Sequence, residues 1–190
     1  MSAAAFPAGL WFKAAINPTE ALSKAEKQKI KPRPLHSFVF TAILTGLVAA
    51  IFAAWSVKAE PTILGGTVIA TWIGVSLLQF LKIILITGTS FGVAKALLGK
   101  GSVYQHAFYF SIVVLAWSFV ELVGSGLATT RTLPNQLIIP LILAYGAWVL
   151  VPAIQKAHGF GIIRAAVTWI LATLSSELVF SVARALLKGA

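Results

Sequence analysis

Apolar residues gather into long runs separated by short polar breaks, at about 38–57, 63–84, 104–126, 136–154 and 160–184. Each run approaches the roughly 20 residues that an α-helix needs to cross about 30 Å of hydrocarbon. The pattern predicts an all-α, polytopic membrane helix bundle with about five transmembrane helices. The second run does not stop cleanly: Lys82 is followed by Ile83-Ile84-Leu85-Ile86 and by Gly88-Thr89-Ser90-Phe91-Gly92 before Lys95 and Lys100. We read 63–98 as one long helix, tilted or broken at Gly88, with an end that projects beyond the bilayer.

Ahead of the spans, Asn17-Pro18-Thr19-Glu20 places a cap residue, a proline at the first helical position and a glutamate three residues after the cap. This predicts a short amphipathic helix over about 18–30. Leu22, Ala25 and Ile30 form a thin apolar stripe, and Lys24, Lys27, Lys29 and Lys31 form a cationic remainder that continues to Arg33. These five cations are candidates for binding lipid headgroups, anionic ones above all. They serve equally as a positive-inside signal that happens to be helical. The aromatic run Phe6, Leu10, Trp11 and Phe12 is placed to dip into the headgroups just before it. The chain thus divides into a basic N-terminal segment, 1–35, and a five-span domain, 36–190.

Composition settles the solvent. Of 190 residues, 58% are hydrophobic and 11% charged, and the mean hydropathy of +0.91 exceeds the range of soluble domains. The net charge of +10 is concentrated near the N-terminus and reads as membrane orientation, with no surface for nucleic acid. The basic N-terminus is placed in the cytoplasm, with Lys95, Lys100, Lys156 and Arg164 on the same side and Lys58, Arg131, Arg184 and Lys188 opposite. No apolar core with a small-residue cleavage site marks a removable signal. With 0 Cys there is no disulfide, thiolate nucleophile or cysteine metal site. His106 and His158 have no ligand partner one turn away, so no metal or other cofactor is expected.

Ionisable groups inside hydrocarbon are costly and are functional candidates by default. Glu121 and Glu177 come first, because each lies well along a span of the same predicted direction. Facing each other they would share a proton or cation; otherwise each would be satisfied by Arg131, Arg184, serine or water. Lys82 is expected near the inner boundary, where its stem can snorkel to headgroups, and Gln79 shares its helix face. Small residues recur every four positions at Ala42, Gly46, Ala50 and Ala54 and at Gly88, Gly92 and Ala96, ridges that allow close helix approach within a bundle or between subunits. Gly124-Ser125-Gly126 lacks the following Lys-Ser/Thr of a phosphate loop, and no nucleophile motif is present.

Several features, taken in order, resemble the Yip1-domain family of five-span membrane proteins. They are Asn17-Pro18 before an amphipathic segment, Leu98-Gly99-Lys100-Gly101-Ser102 followed by Tyr104-Gln105, and Gln155-Lys156-Ala157-His158-Gly159-Phe160-Gly161-Ile162-Ile163-Arg164-Ala165. The chain lacks the Asp-Leu-Tyr-Gly-Pro element of eukaryotic members, which associate with Rab-type GTPases, and so resembles a prokaryotic-type member in a bacterial or archaeal cell membrane. The resemblance implies a non-enzymatic protein that organises membrane or partner subunits, by self-association or with other membrane proteins. Two alternatives remain open: an accessory subunit of a larger membrane complex, and a proton or cation transporter or channel subunit using Glu121 and Glu177.

Overall fold

A computed structural model describes residues 8–28, 33–56, 61–129 and 134–188. Seven helices account for nearly all of them: α1 (Ala8–Ile16), α2 (Pro18–Lys27), α3 (Pro34–Ser56), α4 (Pro61–Ala96), α5 (Val103–Thr129), α6 (Asn135–His158) and α7 (Ile162–Lys188). The last five are long and apolar enough to cross a membrane, and the protein is a multi-pass membrane helix bundle. Lys29 and Lys31, with Phe6, Ile30, Lys58 and Arg131, lie outside the described residues.

The long helices close a ring: α3 packs on α4 and α5, α4 on α7, α7 on α6, and α6 on α5. Burial ranks them. The apolar window of α5 is 56% buried and that of α4 11%, so α5 is the most enclosed of the five and α4 the least. Leu77, Leu78 and Leu81 on α4 and Leu174 and Leu178 on α7 are exposed on the outer surface. In a membrane this is the solvated side, and the core of Ile83, Phe110, Val113, Leu150 and Ile154 is fully or nearly fully enclosed.

Close approach is needed where α3 meets α4. A Cβ on Gly46 would fall onto the Ser76 side chain and the Trp72 carbonyl, so the small-residue ridge of α3 serves packing inside the bundle. The second run is one helix, as expected, and of the two forms considered for it, tilted or broken at Gly88, the break does not occur: α4 runs from Pro61 to Ala96. Nothing lies within 4 Å of a Cβ built there, so Gly88 faces open space and no neighbour forces a kink.

Short polar motifs set the ends. Ser102 and Gln105 form a reciprocal capping box at the start of α5, with Ser102 N to Gln105 Oε1 at 3.0 Å and Gln105 N to Ser102 Oγ at 3.2 Å. α6 stops at Gly159, whose φ of 68° turns the chain so that the Phe160 N–H joins its own on the Gln155 carbonyl, at 3.3 and 2.8 Å. These two turns lie at the same end of the bundle as the start of α3, here termed the basal end.

Candidate functional site

The intramembrane site is assembled by three helices around one lysine. Lys82 lies at the middle of the apolar window Val68–Ala96, roughly 21 Å from the basal end of α4 at 1.5 Å per residue. Its side chain turns into the bundle, forms an ion pair with Glu121 of α5, and stands 4.0 Å from a Glu177 carboxylate oxygen of α7. The ammonium also lies 5.9 Å from the centre of the Trp117 ring, one turn before Glu121 on α5.

Glu121 and Glu177 therefore do not face each other directly. Both face Lys82, which occupies the position that a cation shared between them would take. Glu121 is 14% exposed and Glu177 56%, so the inner carboxylate is the closer partner and the outer one lies on the rim. Gln79, one turn from Lys82, leaves its Nε2 buried without a partner, and Glu121 Oε2, Ser118 Oγ and Thr173 Oγ1 are likewise unpartnered. Elsewhere in these helices the hydroxyls bond their own backbone: Thr87 to the Ile83 carbonyl at 2.7 Å and Ser176 to the Ala172 carbonyl at 2.8 Å. Arg131 and the Arg184 side chain, offered by the sequence as partners of the glutamates, lie outside what is described.

A second polar centre, at the basal end, was not singled out by the sequence, which noted only that His106 and His158 have no ligand partner one turn away. The two rings are 0% and 2% exposed, and His106 Nδ1 lies 2.8 Å from His158 Nε2. Ser90 Oγ lies 2.8 Å from His106 Nε2 and donates to the Thr87 carbonyl at 3.0 Å. Phe110 stacks on His106 and Phe160 on His158. The backbone of the α4–α5 link closes over His158: Lys100 N reaches its carbonyl at 3.4 Å, and a Cβ on Gly101 would overlap the Ala157 carbonyl. The Gly-rich turns were the one available signal: a Cβ on Gly99 or Gly101 would strike His158 or Ala157, and Gly159 takes a left-handed φ.

The N-terminal segment is docked on the bundle as a hairpin of α1 and α2. Asn17 Oδ1 caps α2 by accepting from Glu20 N at 3.1 Å, and Lys13 of α1 pairs with Glu20. Ala21, Leu22 and Ala25 of α2 are buried, and so are Leu10 and Trp11 of α1, which the sequence had placed among headgroups. Trp11 donates to the Ser111 carbonyl at 3.1 Å, Tyr145 donates to the Ala15 carbonyl at 3.1 Å, and Phe12 remains 78% exposed.

Glu26 fastens the end of the hairpin. Its carboxylate accepts from Tyr109 at 2.5 Å and Lys156 at 2.8 Å. Burial pushes this carboxyl upward, but hydrogen bonds from Lys156 and Tyr109, with the lysine charge, outweigh it and hold Glu26 below its ordinary 4.5. A depressed carboxyl contributes stability above its unfolded-state value and loses it as pH falls through the folded one. Hydrogen exchange of α2 should therefore stay slow at neutral pH and rise only below the ordinary carboxylate range. Glu26→Gln should show the fast exchange at neutral pH; unchanged protection in that variant would remove the clamp. Lys24, Lys27 and Arg33 are exposed.

No family model, curated protein or solved structure matches the chain.

Proposed function

We propose that this protein is a non-enzymatic, Yip1-like membrane organiser that presents a fixed cationic end to anionic lipid or to partner subunits, with that end in the cytoplasm. The observation that carries the reading is the docked hairpin. Glu26 is held by Tyr109 and Lys156, while Lys24 and Lys27 of the same hairpin, and Arg33, are exposed. Lys95, Lys100 and Arg164 come to the same basal end from the α4–α5 and α6–α7 turns. A cation near an anionic leaflet contributes about 1 kcal/mol, so several held on one rigid end make an additive attraction that a loose tail would weaken by its disorder.

The intramembrane cluster supports the same assignment. Lys82 fills the space between Glu121 and Glu177, so the cluster reads as an internal brace of α4, α5 and α7. The resemblance in the Gly-rich turns and the Asn17-Pro18 start adds the family expectation of an organising role. The test is native mass spectrometry of the purified protein after exchange into detergent containing equal phosphatidylglycerol and phosphatidylcholine. The wild type should retain the anionic lipid preferentially, and Lys24→Gln/Lys27→Gln/Arg33→Gln should lose most of that preference. Equal retention of both lipids by the wild type would refute the reading.

A further inference from the structure

A cavity of about 760 Å³ opens at the basal end where α4 gives way to its link and α7 begins. Its walls are Leu97, Ile162, Ile163 and Val167 with Gly161 at the turn, and Arg164 is its charged residue. We propose that this groove binds one anionic phospholipid, with the phosphate on Arg164 and an acyl chain along Val167 and Ile163. The proposal rests on the anionic-lipid reading above and gives it a specific site.

Three observations place that occupant there. The first is depth. The groove lies where the apolar windows Val68–Ala96 and Ile162–Val182 begin at the basal end, which is the level of the headgroups. The second is the lining. Apart from the guanidinium, its side chains are aliphatic, and Ile162 and Ile163 are 66% and 78% exposed, a surface that matches an acyl chain and gives a soluble polar ligand little to bond. The third is charge. Arg164 lies in none of the ion pairs formed among the described residues. Its guanidinium lies 5.4 Å from the centre of the Phe160 ring, which holds it at the groove and leaves its planar fork available for a phosphate.

A second cation belongs to the same corner. Lys100 is tied by its backbone to the His158 carbonyl at 3.4 Å, three residues before Gly161, and its side chain is exposed. A zwitterionic lipid brings its own cation to the headgroup level and gains less from such a corner than an anionic one. The buried histidine pair fixes the two turns against each other, so the groove is preformed and binding orders little protein.

The experiment is a titration of delipidated full-length protein in mild detergent with phosphatidylglycerol, phosphatidylcholine or chain-free glycerol phosphate, read by native mass spectrometry and by the shift in melting temperature. The wild type should take one phosphatidylglycerol more tightly than the rest. Arg164→Gln should weaken that binding about fivefold, the equivalent of roughly 1 kcal/mol for one cation at a lipid phosphate. Val167→Trp, which fills the groove from its lipid-facing wall, should abolish the single tight site while helix content by circular dichroism stays unchanged. Two results would overturn the site: tight binding unaffected by both substitutions, or glycerol phosphate competing as well as the intact lipid. If Lys24→Gln/Lys27→Gln/Arg33→Gln loses anionic preference but Arg164→Gln and Val167→Trp do not, the groove falls and the cationic end stands. If none of these variants changes lipid retention, both fall.

Discussion

Lys82→Met is expected to destabilise the bundle by about 3–5 kcal/mol, the range for removing one partner of a buried ion pair. The loss should exceed that of Glu121→Gln. The difference follows from who has a second partner. Without Glu121, Lys82 still has Glu177 at 4.0 Å and the Trp117 ring at 5.9 Å, so its charge retains compensation, and a neutral amide remains to accept a hydrogen bond. Without Lys82, two carboxylates from α5 and α7 face one another across the space it occupied, and Glu121, with 14% exposure, has little water to turn to. The double variant Lys82→Met/Glu121→Leu should recover most of the loss, because neither charge is then left alone. Unfolding in a graded mixture of mild and denaturing detergent, followed by tryptophan fluorescence, measures all three. Equal losses for Lys82→Met and Glu121→Gln would mean that Glu177 takes no part. A loss under about 1 kcal/mol for Lys82→Met would mean the pair is no brace.

The architecture was legible because a span's length and apolarity answer to one physical constraint, the thickness of hydrocarbon. The run at 38–57 begins four residues earlier, at Pro34, and the run at 136–154 extends four residues further, to His158. Such growth is common where apolarity fades before helical hydrogen bonding does. The helix start at Asn17-Pro18 was legible for a different reason, since its chemistry is local: the cap bond spans three residues. α1 carried no comparable signal. It has nine residues without an acidic first turn, and its stability comes from Leu10 and Trp11 buried against distant helices, the kind of tertiary support that short helices need.

The candidate site was half legible. Charged residues inside an apolar run announce themselves, so Lys82, Glu121, Glu177 and Gln79 could be named. Their partners could not, because Lys82 and Glu121 stand 39 positions apart and the rotation of each helix about its axis decides who meets whom. The length of the second helix was read correctly, since α4 runs to Ala96, but its length says nothing of which way Lys82 turns, and the structure turns it inward onto Glu121. The histidines were hidden by their position at span ends, where an exposed imidazole is unremarkable. What buries them is the folding of two Gly-rich turns onto each other, a contact across 52 positions.

That pair yields the second large expected effect. His106→Leu and His158→Leu should each cost about 2–4 kcal/mol, and the double variant should cost less than their sum by about 2–6 kcal/mol, two orphaned groups being avoided. Hydrogen-bond counting gives the reason. The Ser90 hydroxyl donates to the Thr87 carbonyl, so with one proton per ring its oxygen accepts from His106 Nε2, and His106 Nδ1 accepts from His158 Nε2. His158 Nδ1 is left as a buried acceptor. Removing His106 strands the His158 N–H, and removing His158 strands the His106 Nδ1 lone pair. Each orphan costs about 1–3 kcal/mol, whereas replacing both partners by apolar groups of similar size leaves none. Loss of the stacking between His106 and Phe110, with ring centroids at 4.4 Å, adds roughly 0.5–1.5 kcal/mol to the first variant. The same detergent titration gives the three values for a double-mutant cycle. Strict additivity would show that the rings do not bond each other. A positive coupling should be accompanied by faster hydrogen exchange at Gly99–Ser102 and Gly159–Gly161 in both single variants, since the histidine pair is what holds those turns together.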